Sequence, residues 1–113
     1  MTSAVIANLQ KLIGTPRDGA LLRFSLGNEY LKQGDAPSAE LQLREALARD
    51  PAYSAAWKLL GRALAETGQA EAALEAYRQG IAAAEARGEL QAAKEMTVFA
   101  RRIRKQLEPR QPD

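Results

Sequence analysis

Residues 26–48 read LGNEYLKQGDAPSAELQLREALA, and residues 60–82 read LGRALAETGQAEAALEAYRQGIA. The second stretch begins 34 residues after the first, and the two agree at two glycines and at several alanines. Self-similarity at this period predicts stacked supersecondary units, each of which buries its apolar face against its neighbours. The matching positions are Leu26-Gly27 with Leu60-Gly61, Gly34 with Gly68, Ala36 with Ala70, Ala39 with Ala73, Arg44 with Arg78, and Ala48 with Ala82.

Apolar residues recur at helical spacing along the chain and predict about six helices. Gly34 and Gly68 are expected to supply turns, because a residue without Cβ takes the left-handed conformation at little cost. Asp18, Asp35 and Ser54 are predicted N-caps, since a short polar side chain can accept hydrogen bonds from the free N–H groups of a first turn. The predicted helices lie within residues 1–13 and at about 18–33, 35–49, 54–66, 70–86 and 89–107.

Composition narrows the class of protein. The chain has 113 residues, which suits one domain spanning residues 1–113, and 46% of them are hydrophobic, which is enough for a core. It contains no cysteine and no histidine, so disulfides, zinc–thiolate sites and histidine general bases are excluded. Neither a glycine-rich phosphate loop nor a metal-ligand spacing occurs. The sequence therefore predicts a non-catalytic protein without a cofactor.

The charge is nearly balanced, with a net value of +2, and the small surplus lies near the C-terminus. Residues 1–93 carry ten basic and eleven acidic side chains, whereas residues 94–113 carry six basic and three acidic ones. Residues 1–13 lack the basic leader of a signal peptide. No apolar run reaches the ~18–20 residues that span a membrane. The expectation is a soluble cytoplasmic protein.

The repeated residues resemble the tetratricopeptide repeat, a pair of antiparallel helices of about 34 residues with the pattern W..LG..Y...G....A...F..AL...P. The resemblance implies one repeat at residues 20–53, a second at 54–87 and a C-terminal capping helix at 88–107. The implied fold is all-α, with helical hairpins stacked in a short right-handed superhelix between N- and C-terminal flanking helices. The residues that match the pattern are Leu26, Gly27, Tyr30, Gly34, Ala39, Ala46 and Pro51 in the first repeat, and Trp57, Leu60, Gly61, Gly68, Ala73 and Tyr77 in the second.

Several residues depart from that pattern. Arg23 stands where the first aromatic residue is expected, Leu43 replaces the later aromatic residue, and Gly80 replaces an alanine. Glu85 replaces the closing proline, which predicts that the second hairpin runs about a turn longer. In the last helix Lys94-Glu95 occupies the register of the Leu-Gly pair, so this helix is expected to be a half-repeat with a polar outer face that caps the stack.

The family binds peptide segments in a concave groove lined by the first helix of each pair, so the resemblance implies a protein-binding adaptor. Apolar side chains beside Asn, Lys and Arg would suit a peptide with an apolar anchor and a carboxylate. Met96, and Phe99 in the same register, have an alternative role in packing the last helix onto the second hairpin. The groove residues expected by register are Phe24, Asn28, Leu31, Lys58, Leu59, Arg62 and Met96.

Some family members hold a chain-terminal carboxylate with a clamp of basic and amide side chains. Asn28 matches one clamp position, but Phe24 stands where a lysine is expected and Leu59 where an asparagine is expected. Glu89 and Ala93 occupy the positions of the last basic pair. The sequence therefore predicts that this clamp is missing.

A basic patch in the last helix suggests a different class of function. Arg101, Arg102, Arg104 and Lys105 lie within two turns and could contact nucleic-acid phosphates or an anionic membrane surface. Basic side chains also complement the dipole at the C-terminal end of a helix and keep a cap soluble. Nucleic acid is disfavoured because no aromatic stacking platform accompanies the patch. The predicted partner is another protein or peptide, with the chain itself a monomer or weak homodimer.

Overall fold

The computed structural model describes residues 3–109, which form six α-helices and no strand. All six predicted helices occur, and the all-α fold is confirmed. Within residues 3–109, no helix combines the length and the apolar character that a membrane crossing requires. The helices are α1 (Ala4–Gln10), α2 (Ala20–Lys32), α3 (Ala36–Arg49), α4 (Ser54–Glu66), α5 (Ala70–Ala86) and α6 (Leu90–Leu107).

Helices that are neighbours in sequence are neighbours in space. α2 lies against α3 and α4 against α5, while α3 also contacts α4 and α5 contacts α6. One core runs from α2 to α6 and consists mainly of alanine and leucine. Such side chains allow helices to approach closely and still fill the space between them. A second, smaller core of Ile6, Leu22 and Leu26 fixes α1 to α2.

Three helix ends share one turn geometry. Gly34, Gly68 and Gly88 follow α2, α4 and α5 with φ angles of 77°, 77° and 73°, a left-handed conformation that favours glycine. The N–H of the residue after each glycine donates to the carbonyl five residues earlier, as from Asp35 N to Tyr30 O at 2.9 Å. These bonds satisfy carbonyls that the helix itself leaves free. The turn prediction for Gly34 and Gly68 is confirmed.

Only one of the three predicted N-caps is confirmed. The Asp35 carboxylate accepts a hydrogen bond from the N–H three residues further on, at 3.2 Å. Ser54 instead lies in the first turn of α4, where its hydroxyl donates to the Glu89 carboxylate at 2.6 Å and links α4 to the start of α6. The N-cap of α2 is Gly19, which forms no side-chain cap. The cap predictions for Ser54 and Asp18 are therefore wrong.

Asp18 joins three parts of the N-terminal half through its carboxylate. It accepts hydrogen bonds from the Gly14 N–H at 2.9 Å and from the Arg23 guanidinium at 2.9 and 3.0 Å, and Arg49 of α3 lies 3.8 Å away. Arg23 also donates to Gln42 of α3 at 3.1 Å. A charged pair thus replaces the aromatic residue of the repeat pattern. The hydrogen bonds from Arg23 and Gly14 hold the pKa of the Asp18 carboxyl well below its usual range.

Acid is expected to weaken the fold through Asp18. Because its folded-state pKa lies below the ordinary value of 3.8, the ion pair stabilises the fold above that value. As the pH falls further, the unfolded chain binds the proton first and the contribution is lost. In thermal melts Asp18→Asn should have a lower midpoint than the wild type at about pH 7, and the gap should narrow towards about pH 2. Glu108→Gln, on an exposed carboxylate, is the control, and a gap that stays constant with pH would contradict this role of Asp18.

Glycines lie where the paired helices cross. A Cβ atom added to Gly27 would lie 2.6 Å from Cγ of Leu43, and one added to Gly61 would lie 2.5 Å from Cε1 of Tyr77. Both distances are shorter than real Cβ contacts, so each crossing depends on the missing side chain. Both glycines are the eighth residue of their helix. The eighth residue of α6 is Thr97, whose hydroxyl donates to a carbonyl of the same helix.

α5 is longer than its counterpart α3, with 17 residues against 14. This confirms the prediction that the second hairpin runs further where Glu85 replaces the closing proline. As a result α6 begins at Leu90, 36 residues after the start of α4, whereas α4 begins 34 residues after the start of α2. The residues that α6 buries are Ala93, Met96, Ala100 and Ile103.

Candidate peptide-binding groove

α4 contacts α2 on one side and α6 on the other, while α3 and α5 pack against α2 and α4. The face shared by α2, α4 and α6 is called the groove below. Its side chains are half-buried or exposed, so they are accessible to a partner. Of the residues that the register expects there, Phe24, Asn28, Lys58 and Leu59 are half-buried and Arg62 is exposed, and Phe99 of α6 is half-buried.

Phe24 is not a freely exposed side chain, because it stacks on the ring of Tyr53. The ring centroids lie 4.9 Å apart and the planes are inclined by 25°. Both residues are half-buried and pack on the main core, and burial, together with Asp50, raises the pKa of the Tyr53 phenol. Sequence reasoning missed Tyr53 because it precedes the first turn of α4 and so falls outside the helical register. The stack forms an apolar surface where α2 meets the start of α4.

Two of the expected groove residues lie in the core instead. Leu31 is 3% exposed and Met96 is 0% exposed, so neither side chain can meet a partner and both groove predictions are wrong. Met96 fills the space that Gly80 leaves on α5, where an added Cβ would lie 2.5 Å from the Met96 sulfur. The alternative prediction, that Met96 packs the last helix onto the second hairpin, is confirmed.

The expected residues of α4 come together with two aromatic side chains. Lys58, Leu59 and Arg62 line a hollow of about 220 Å³ with Tyr77 of α5 and Phe99 of α6. The two rings have centroids 5.8 Å apart and planes inclined by 44°. The Tyr77 phenol is uncharged at neutral pH, and burial raises its pKa further above the ordinary value of 10.0. The hollow is called the notch below.

The two cations that line the notch each have an acidic neighbour. Nζ of Lys58 lies 3.0 Å from Oε2 of Glu95 on α6, and Nε of Arg62 lies 3.1 Å from Oε1 of Glu66. The Lys58 and Arg62 side chains are 33% and 55% exposed, so solvent screens both pairs and each contributes only ~0–1 kcal/mol. An incoming anion can therefore replace either acid at little cost.

The basic patch of α6 does not form one surface. Arg102 lies over the ring of Phe99, with Cζ 5.9 Å from the ring centroid. Arg104 borders a different hollow that contains two glutamates of α5, and Arg101 lines the outer edge of α6 with a third glutamate. The patch is thus divided among separate surfaces. Its four exposed members are Arg101, Arg102, Arg104 and Lys105.

The groove offers apolar and aromatic surface with cations at its edge, which suits the non-covalent binding of a polypeptide segment. In the part of the chain that the structure describes, no three acidic, histidine or cysteine side chains are grouped so that they could hold a metal ion.

The family model described as tetratricopeptide repeat matches residues 24–88. A TPR repeat-containing protein of Pseudomonas aeruginosa is 46% identical to the chain over 99 residues, which cover 88% of this chain and 94% of that protein. The solution structure of a Bordetella parapertussis protein is 39% identical, with a TM-score of 0.80 over 93% of this chain and 91% of that one. A tetratricopeptide repeat domain protein of Salinibacter ruber is 26% identical, with a TM-score of 0.72 over 87% of this chain and 97% of that one.

Proposed function

The chain belongs to the tetratricopeptide repeat family, and we propose that it is a non-catalytic adaptor that binds a peptide segment of a partner protein in the groove. Members of this family typically act as protein–protein interaction modules rather than as enzymes. The observation that carries the proposal is the notch, where Lys58, Leu59 and Arg62 meet two aromatic rings on an accessible helix face.

The chemistry of the groove supports this proposal. Binding energy at protein interfaces is concentrated in aromatic and arginine side chains that pack around a desolvated centre. The stack of Phe24 on Tyr53 and the notch supply two such centres on one face, with Asn28 as an amide on the same face. A groove built from three short helices buries little area, so we expect affinities of about micromolar.

A peptide-display selection against the whole chain tests the proposal. Enriched peptides should lose binding to the double variant Asn28→Ala with Arg62→Glu, because both side chains lie on the groove. Circular dichroism should show unchanged helicity, since neither side chain is part of the core. The matched control changes Arg101, Arg104 and Lys105 together to Gln and should bind the peptides normally.

Two outcomes would contradict the proposal. One is a set of enriched peptides that bind the double variant as well as they bind the wild type. The other is tight binding of a single-stranded oligonucleotide whose affinity falls steeply with salt. If the groove variant keeps this binding and the basic-patch variant loses it, the function belongs to α6.

A further inference from the structure

We propose that the notch selects one large apolar side chain of the partner peptide, and that this side chain is flanked by acidic residues of the same peptide. The inference rests on the proposed function and specifies the chemistry of the partner. The occupant is an internal segment of another polypeptide. Three features of the notch support it: an apolar interior, a cationic rim and the absence of a clamp for a chain end.

The interior of the notch is apolar and held in place by the core. Tyr77 is 4% exposed and packs in the main core, and its ring occupies the space that Gly61 leaves at the helix crossing. Leu59 and Phe99 are half-buried and complete the walls. A hollow of about 220 Å³ is smaller than the ~300–1,000 Å³ pockets that hold small-molecule ligands. It therefore suits a single side chain of aromatic or leucine size.

The rim of the notch carries an excess of positive charge. Lys58 and Arg62 line it, and Arg102 lies over the aromatic ring that α6 contributes. Only two carboxylates, those of Glu66 and Glu95, pair with these cations, and solvent screens both ion pairs. An acidic residue on either side of the bound apolar side chain can pair with Arg62 or Arg102. A lysine in the same place would face three like charges.

The peptide is expected to cross the notch as an internal segment rather than to end there. The clamp of basic and amide side chains that holds a chain-terminal carboxylate in some relatives is missing, since Phe24 stands where a lysine is expected and Leu59 where an asparagine is expected. The stack of Phe24 on Tyr53 lies where α2 meets the start of α4, the helix that supplies Lys58, Leu59 and Arg62 to the notch. A bound peptide can therefore extend beyond the notch along the same face.

Short capped peptides test this chemistry by nuclear magnetic resonance of the full-length chain. The probe is an acetylated and amidated tripeptide with phenylalanine between two glutamates, and its binding should shift the amide signals of Leu59 and Phe99. Replacing the phenylalanine by alanine should weaken binding about tenfold or more, because the apolar side chain supplies most of the buried surface. Replacing both glutamates by lysines should weaken it about three- to tenfold. Equal binding of the lysine peptide, or shifts confined to other surfaces, would overturn the proposal.

Variants of the protein locate the site. Arg62→Gln combined with Arg102→Gln should keep the fold, because both side chains are exposed. The double variant should bind the glutamate-flanked peptide about threefold more weakly than the wild type does, and its affinity for a glutamine-flanked peptide should be unchanged. Arg101→Gln is the matched control, since it removes a neighbouring cation on the outer edge of α6, and it should change neither affinity. If Arg101→Gln lowered the affinity for the glutamate-flanked peptide as much as the double variant does, the proposal would also be overturned.

The remaining outcomes separate this inference from the proposed function. If display-selected peptides depend on the groove but leave the signals of Leu59 and Phe99 unmoved, the notch proposal is wrong and the proposed function stands. If a peptide with a free carboxylate directly after phenylalanine binds more tightly than the capped probe, the notch binds a chain end and the proposal of an internal segment is wrong. If no selected peptide depends on the groove, the proposed function itself fails.

Discussion

Deletion of residues 89–113 should yield a chain that aggregates or melts without a sharp transition. α6 covers α5, and its loss would expose a contiguous apolar face of the second hairpin, which promotes association. Stacked repeats usually need about three units for stability, and only two helical pairs would remain. Size-exclusion chromatography and thermal denaturation followed by circular dichroism measure the effect. The deletion removes four buried side chains from the fold, namely Ala93, Met96, Ala100 and Ile103.

Deletion of residues 108–113 is the matched control for this experiment. α6 ends at Leu107, so the shorter deletion keeps every buried residue of the helix. It should melt cooperatively at the midpoint of the full chain. A fragment of residues 1–88 that stays monomeric and has the stability of the full chain would contradict the capping role of α6.

The second large loss of stability is expected for Gly61→Leu. Its Cβ alone would lie 2.5 to 2.7 Å from three carbon atoms of the Tyr77 ring, and that ring is buried. Overpacking of a core typically costs ~1–3 kcal/mol. Leucine would also force α4 and α5 apart along their crossing, so we expect a loss at or above the upper end of that range. The free energy of unfolding from urea denaturation measures it.

Thr97→Leu is the matched control, because Thr97 holds the same position in α6 and lines the outer edge of that helix. It should change the free energy of unfolding by less than ~1 kcal/mol, as most surface substitutions do. If Gly61→Leu were as stable as the wild type, α4 and α5 could not cross at Gly61 as the structure describes.

Local sequence signals predicted the helices and their turns well, because glycine turns and apolar periodicity act over a few residues. The N-caps were predicted less well. Asp18 and Ser54 both stand near the start of a helix, but each found a partner that a local pattern does not reveal. Asp18 binds the guanidinium of Arg23, and Ser54 donates to Glu89, which lies 35 residues away in sequence. Only the packed structure brings Ser54 and Glu89 together.

The groove was predictable on α4 but only in part on α6, and the length of α5 explains the difference. The spacing of 34 residues holds between α2 and α4, so Lys58 and Arg62 fall where the repeat pattern expects them. The longer α5 delays α6 by two residues, and two residues turn a helix by about 200°. That rotation moves Met96 to the core and brings Glu95 beside Lys58, whereas Phe99, which the register also placed on this face, lines the notch. Counted from the helix starts, the seventh residues are Leu26, Leu60 and Met96, and all three are buried.

A helical repeat stack, or solenoid, is extended when a further pair of helices packs against its last helix. Thr97 affects whether such a pair can pack closely against α6. Gly27 and Gly61, each the eighth residue of its helix, let the following helix approach closely. Thr97, the eighth residue of α6, carries a branched side chain instead. We expect a seventh helix after α6 to stand further away than α5 stands from α4, and so to pack poorly. A recombinant extension by an additional hairpin should then add little cooperativity.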